Sequence, residues 1–342
     1  MDREGELENC KFVKTVLMVI IVLYHSMIFY AERNWFVVQP SAYSEILRFF
    51  CTWINGIHIY TFILVSGYIF YAVVEKGGYT EFRGFISKKF CRLILPYIVA
   101  SACWVIPING LFYKYTLSDI IRKFLLAQSP SQLWFLVVPF EIFVFSWCFL
   151  RYIEEHTYST ILICSVFCLV GIFGAHLTPN YFQIWKTCQC LIYFIIGMKL
   201  RQLRSSYGKK IWIPLLLLCN ISLFLINNYY LSQTSSFAIG CVEKVVDILI
   251  HISGSLFLFY FLQFIANSIN WHSNAFLYFS TKSMTIYLLH QQIIYIGIWL
   301  LHGSMNMILL IPILFFGTIS VSLLLATFLH KSKYTRFLLG EK

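Results

Sequence analysis

Residues 14–26, KTVLMVIIVLYHS, set a cation at the start of an apolar run and an imidazole eleven residues later. On an α-helix that spacing is about 16 Å of rise and within roughly 20° of three whole turns, so Lys14 and His25 share one face at different depths. The run is apolar enough to enter a bilayer, and ionisable groups inside a span are costly unless they face a cavity, a partner or a substrate. The structural alternative is an interhelical hydrogen bond. His is also the side chain best suited to moving protons near neutral pH.

The rest of the chain agrees with a membrane reading. Of 342 residues, 59% are hydrophobic and 12% charged, and the mean hydropathy is +0.73, which predicts an all-α, polytopic integral membrane protein. The first apolar run is too long and too poorly flanked for a cleaved signal peptide and is expected to stay as a span. Apolar stretches of span length predict about ten helices, at 12–31, 53–74, 93–113, 132–150, 159–175, 183–198, 211–230, 245–266, 275–300 and 306–329. With the N-terminus inside, the inside segments hold 18 Lys and Arg and the outside segments 6. That bias predicts cytoplasmic termini and a multi-pass protein of the cell (inner) membrane. It also explains the net charge of +11 without nucleic acid. No connection is long enough for a separate soluble domain, so residues 1–342 are expected to form one domain. The 11 cysteines are scattered in apolar runs, where Cys acts as a small hydrophobe, and no metal-binding spacing is present.

Polar residues interrupt the other spans in a few places. The second, WINGIHIYTFILVSGYIFY (53–71), carries His58 and the Ser66-Gly67 pair; Gly permits close backbone approach and Ser can bond across the gap. Before the third span, Lys88, Lys89 and Arg92 form a cationic group. The i and i+3 spacing of Lys89 and Arg92 would put both on one helix face, as a clamp suited to phosphate, against the plainer reading as topology anchors. Glu141 follows Pro139 inside the fourth span and is the best carboxylate for orienting an imidazole from another helix, or else stabilises the bundle through a Lys or Tyr. Asp247 is a weaker candidate of the same kind. In the ninth span Ser283, Tyr287 and His290 stand at i, i+4 and i+7 on one face, and His290 reaches a depth similar to His25.

Together, Lys14-x10-His25 with Ser26, FILVSGY, KKFCRLILPY, LWFL (133–136) and SMTIYLLH (283–290) resemble, in order, the acyltransferase 3 family. The resemblance runs from about residue 10 to 330, and GIHIYTFILVSGYIFY is most similar to the fucose 4-O-acetylase-like branch. It implies a membrane enzyme that acylates sugars of O-antigens, exopolysaccharides, peptidoglycan and related glycans. Lys14 and Lys89 stand where the family usually has Arg; charge is kept and the planar fork is lost. Arg92 and His25 match directly.

The resemblance implies acyl-CoA as cytoplasmic co-substrate, by default acetyl-CoA, with no bound cofactor or metal. Its phosphates would meet Lys14, Lys88, Lys89 and Arg92, and Ser66 would lie along the donor path. A sugar hydroxyl of a glycan or lipid-linked saccharide would be deprotonated by His25. Ser66, Tyr287 or His290 would donate to the oxyanion, and Glu141 would hold the imidazole tautomer. A covalent acyl-histidine relay stays open beside direct transfer. The rivals are a transporter or flippase, with the same polar residues lining a translocation path, and a glycan polymerase, for which the outer connections are short.

Overall fold

A computed structural model of the chain describes residues 3–203, 209–233 and 236–341. Arg204 and Lys342, and the side chains of Arg3, Lys209 and Lys210, which entered the charge tally, lie outside the described residues. Among the described residues ten long helices dominate: α1 (Arg3–Ala31), α2 (Glu45–Glu75), α3 (Phe82–Tyr113), α4 (Ser131–Cys148), α5 (Thr157–Leu177), α6 (Ile184–Gln202), α7 (Lys209–Ile226), α8 (Phe237–Ser268), α9 (Ser283–Leu301) and α10 (Met307–Leu329). No strand occurs among the described residues. Nine of these helical segments are long and apolar enough to cross a membrane. The exception, α6, carries Lys186, Lys199 and Arg201, yet it packs along α2, α4 and α5 as a full member of the bundle.

Several helices outrun the expected spans. α1 begins at Arg3 rather than near residue 12, because Glu4 and Glu6 in its first turn favour the positive end of the helix dipole. α2 begins at Glu45, where the Ser44 side chain accepts from the Leu47 amide and supplies an N-cap. The expected ninth span breaks in two: a short helix, Asn274–Thr281, ends at Lys282, and α9 starts at Ser283.

The middle of the bundle is α2, whose most apolar window is 72% buried, whereas α7 is only 11% buried and leaves its apolar side for lipid. α1 packs against α2, α8, α9 and α10. The closest approach is between α2 and α6. A Cβ on Gly67 would lie 2.0 Å from the Phe194 carbonyl oxygen, and one on Gly197 would lie 2.0 Å from that of Leu64. Two glycines thus let two backbones touch reciprocally, in the way small residues draw spanning helices together.

The first and last described residues lie at one end of the bundle. Glu4 pairs with Lys76 at 2.9 Å, at the end of α2, and Glu8 lies 3.5 Å from His272, beyond α8. The short C-terminal helix Lys333–Leu338 ends at Gly340, whose φ is +75° and whose Cβ, if present, would lie 2.7 Å from the Arg92 carbonyl oxygen. Pro96 cannot donate to that carbonyl. The turn before it is widened to a π turn, Phe90–Ile94.

That C-terminal contact is fixed by a small network. Lys282 donates to His330 Nδ1 at 2.7 Å, which leaves His330 Nε2–H to face Thr285 Oγ1 at 2.9 Å and Glu341 at 3.2 Å. Burial, with Lys282 and Arg336 nearby, pushes the His330 imidazole down to about 4, so its contact with Glu341 at neutral pH is a hydrogen bond rather than an ion pair. The Glu341 carboxyl is held above its usual range by burial, opposed by its bonds from Thr285.

Candidate functional site

His25 occupies the last third of α1. Its Nδ1 lies 2.9 Å from the Ile21 carbonyl oxygen. A carbonyl only accepts, so Nδ1 carries the proton and Nε2 keeps its lone pair. On α9, His290 Nδ1 lies 2.6 Å from the Tyr287 carbonyl oxygen and is protonated for the same reason. His290 Nε2, an acceptor, stands 3.3 Å from His25 Nδ1. The His25 N–H is therefore shared between a backbone carbonyl and a second imidazole. His58 on α2 repeats the device, with Nδ1 2.6 Å from the Ile54 carbonyl oxygen, and its ring lies 5.4 Å from that of Tyr24.

α9 is held by polar groups of α3 and α4. Gln132 donates to the Leu288 carbonyl at 3.1 Å and to Gln292 at 2.7 Å, and Trp104 donates to the Leu289 carbonyl at 3.2 Å. Tyr287 donates its hydroxyl to the Gln132 carbonyl. These bonds bracket His290 and fix its distance from α1.

His25 opens onto a cavity of about 570 Å³ whose wall includes His58, Tyr60, Gln132, Lys186, Asp247 and His251. Tyr24, Thr52 and Asn55 also line it and are shared with a second cavity of about 620 Å³ that reaches Glu32, Arg33 and Arg48. These last residues belong to the end of the bundle opposite the termini. The two cavities thus give a polar approach to His25 from that end.

The basic residues gather at the other end. Lys14 is half-buried, with Nζ 5.3 Å from the Phe62 ring centre, and Arg92 and Lys14 are close enough to repel one another. Lys88 and Arg92 are exposed. Lys89 does not share their face: its Nζ sits 3.4 Å from the Phe143 ring centre and 5.0 Å from that of Tyr79. The π turn that begins at Phe90 changes the register after Lys89, so α-helical i and i+3 geometry does not apply. The shared face expected from the i and i+3 spacing is therefore not formed, but Lys89 is also close enough to Lys14 and Arg92 to repel both, so the three charges still gather at this end with Lys89 on the aromatic side.

Other expected contacts take different partners. Glu141 accepts from the Thr187 hydroxyl on α6 at 2.7 Å, and the bonds to the His25 ring come from Ile21 and His290 instead. Ser66 donates to the Phe62 carbonyl at 2.9 Å, Tyr287 to Gln132, and His290 Nδ1 to Tyr287. The donor atoms of all three residues expected to face an oxyanion are thus engaged. At the cavity wall the Tyr24 hydroxyl forms no hydrogen bond to any described residue, and its ring lies 5.0 Å from that of His25. Tyr24, Lys186 and His251 were not legible as site residues, although His251 and Lys186 carry the same signal as His25, an ionisable group inside an apolar helix. Among the described residues no cluster of His, Cys, Asp or Glu is arranged to hold a metal.

A family model for the acyltransferase 3 family, described as an acyltransferase domain, matches residues 9–327. No curated protein matches the chain, and no solved structure does.

Proposed function

Because the chain belongs to the acyltransferase 3 family of membrane acyltransferases, we propose that it moves an acyl group, by default acetyl, from cytoplasmic acyl-CoA to a sugar hydroxyl. The acceptor is a cell-surface glycan or its lipid-linked precursor, and the protein resides in the cell (inner) membrane with both termini cytoplasmic. One observation carries this reading: His25 faces a polar cavity with Nδ1–H held by Ile21 and His290, which leaves Nε2 as a base.

The donor comes from the end that holds the termini. Its phosphates meet Lys14, Lys88 and Arg92, and its pantetheine arm follows α1, since the Lys14 to His25 rise of about 16 Å is comparable with that arm. The acceptor comes from the other end, where the two cavities adjoin at Tyr24, Thr52 and Asn55. His25 Nε2 takes the hydroxyl proton as the sugar oxygen attacks the thioester carbonyl. The C–S bond then breaks, the new ester forms, and the proton passes from His25 to the leaving thiolate. While His25 is an imidazolium its Nδ1–H bond to His290 strengthens, so His290 acts as a positioning residue that favours the charged ring. General-base help of this kind is worth about 10² to 10⁴ in rate, roughly 3 to 5 kcal/mol.

The test is transfer of labelled acetyl from acetyl-CoA, supplied at the cytoplasmic face of membranes, into glycan by the natural protein and by His25→Ala at matched expression. Label that depends on His25 is the expected result. Retained transfer in a well-expressed variant removes His25 as the base, and no label with either protein in the presence of host glycan favours translocation or another acyl donor.

A further inference from the structure

Three cations of α6 differ in how they are satisfied. At the terminal end Lys199 donates to the Ile153 carbonyl at 2.5 Å and to Gln202 at 2.7 Å, and Arg201 pairs with Glu75 at 2.7 Å. Lys186, at the other end, opens onto the His25 cavity. Its nearest polar partner is the Tyr60 hydroxyl at 3.4 Å, and it lies 5.5 Å from the ring centres of Tyr60 and Trp134. No carboxylate among the described residues is within ion-pair distance of it. Asp247 shares the cavity, but its oxygens are taken by Asn227 at 2.6 Å and Lys244 at 3.5 Å.

An ammonium within a membrane bundle is costly, and aromatic faces compensate only part of that cost. A counter-charge in the cavity would supply the rest. We propose that Lys186 is the anion subsite of the acceptor cavity, so that the acceptor is an acidic saccharide held by a carboxylate or phosphate while its hydroxyl faces His25. The placement within the acceptor cavity rests on the acyl-transfer reading; the anion preference itself does not.

The probes are a hexuronate tetrasaccharide, its carboxyl-reduced neutral form, and undecaprenyl phosphate, each bound to the full-length protein in nanodiscs. The expected result is that at least one acidic probe binds about tenfold or more tightly than the neutral sugar, that Lys186→Met abolishes the difference, and that Lys186→Arg keeps it. Preference for the hexuronate places the anion on the sugar; preference for undecaprenyl phosphate alone places it on the lipid carrier. Equal binding of charged and neutral probes to the natural protein overturns the proposal, and so does an unchanged preference in a folded Lys186→Met variant. A Lys186→Met protein that binds with the natural ratio but transfers acetyl more slowly to charged and neutral sugars alike would put Lys186 at the reacting carbonyl instead. A Lys186-dependent preference in a protein that transfers no acetyl would leave this inference standing and remove the acyl-transfer reading.

Discussion

His290 Nε2 stands 3.3 Å from His25 Nδ1, and each ring's Nδ1 is tied to a carbonyl of its own helix. The second imidazole occupies the place that a carboxylate takes in many His-based sites, and it brings no charge of its own. His290→Ala is expected to lower kcat by about 10- to 100-fold, the worth of one hydrogen bond to a charged group. KM for the acyl donor should change little, and His290→Gln, which can still accept, should recover part of the loss. Steady-state kinetics on membranes with varied acetyl-CoA would separate these outcomes.

On the acyl-transfer reading Tyr24 is the candidate oxyanion donor, because the donor atoms of Ser66, Tyr287 and His290 are engaged. Tyr24→Phe keeps the ring against His25 and His58 and removes only the hydroxyl. A fall in kcat of about 10² or more is expected if it serves the oxyanion. A kcat within a factor of about two of natural would exclude it.

Arg92 and Lys89 should part company. Arg92→Ala is expected to raise KM for acyl-CoA by about tenfold, in keeping with loss of a charge-assisted phosphate contact, and to leave the acceptor KM unchanged. Lys89→Met, at a position enclosed by Phe143, Phe85 and Tyr79, should alter the acyl-CoA KM much less. Equal effects from the two would restore the clamp read from their spacing.

Gly67→Ala and Gly197→Ala must each push α2 from α6, since the new methyl would meet a backbone carbonyl at 2.0 Å. A loss of about 1–3 kcal/mol or more is expected for each, visible as a lower melting temperature in detergent and reduced yield. Ser66→Ala removes a bond to the carbonyl one turn back and should be tolerated with near-natural activity. Loss of acyl-CoA use in a stable Ser66→Ala protein would return this serine to the donor path.

Much of the fold was legible because a bilayer imposes length and polarity on every span. The helix expected at 183–198 was found as α6, though it extends to Gln202 and is not among the nine helices apolar enough to cross a membrane, and the Lys14 and His25 face followed from helical rise alone. The π turn after Lys89 was not, because its cause, Pro96 and the packing of Gly340 on the freed carbonyl, combines a local signal with a contact from the far end of the chain. The partner of Glu141 was not legible for a similar reason: depth along a helix is readable, whereas which neighbour a carboxylate meets depends on helix rotation, and here it meets Thr187. The cavity wall drew on α1, α2, α4, α6, α8 and α9, and no single stretch carries such a surface. The His25 tautomer depended on a bond to Ile21, four residues back, and the identity of Ile21 gives no sign of it.

That local bond separates two inheritances. The imidazole's proton is placed by the peptide backbone of α1, which every side chain at position 21 supplies alike, while the shape and charge of the cavity beside His25 come mostly from other helices. A sequence carrying the same α1 and α9 could therefore exchange Lys186, Tyr60 or His251 and reshape the cavity without moving the His25 proton, so the lining of the cavity and the tautomer of its imidazole fall on different parts of the chain.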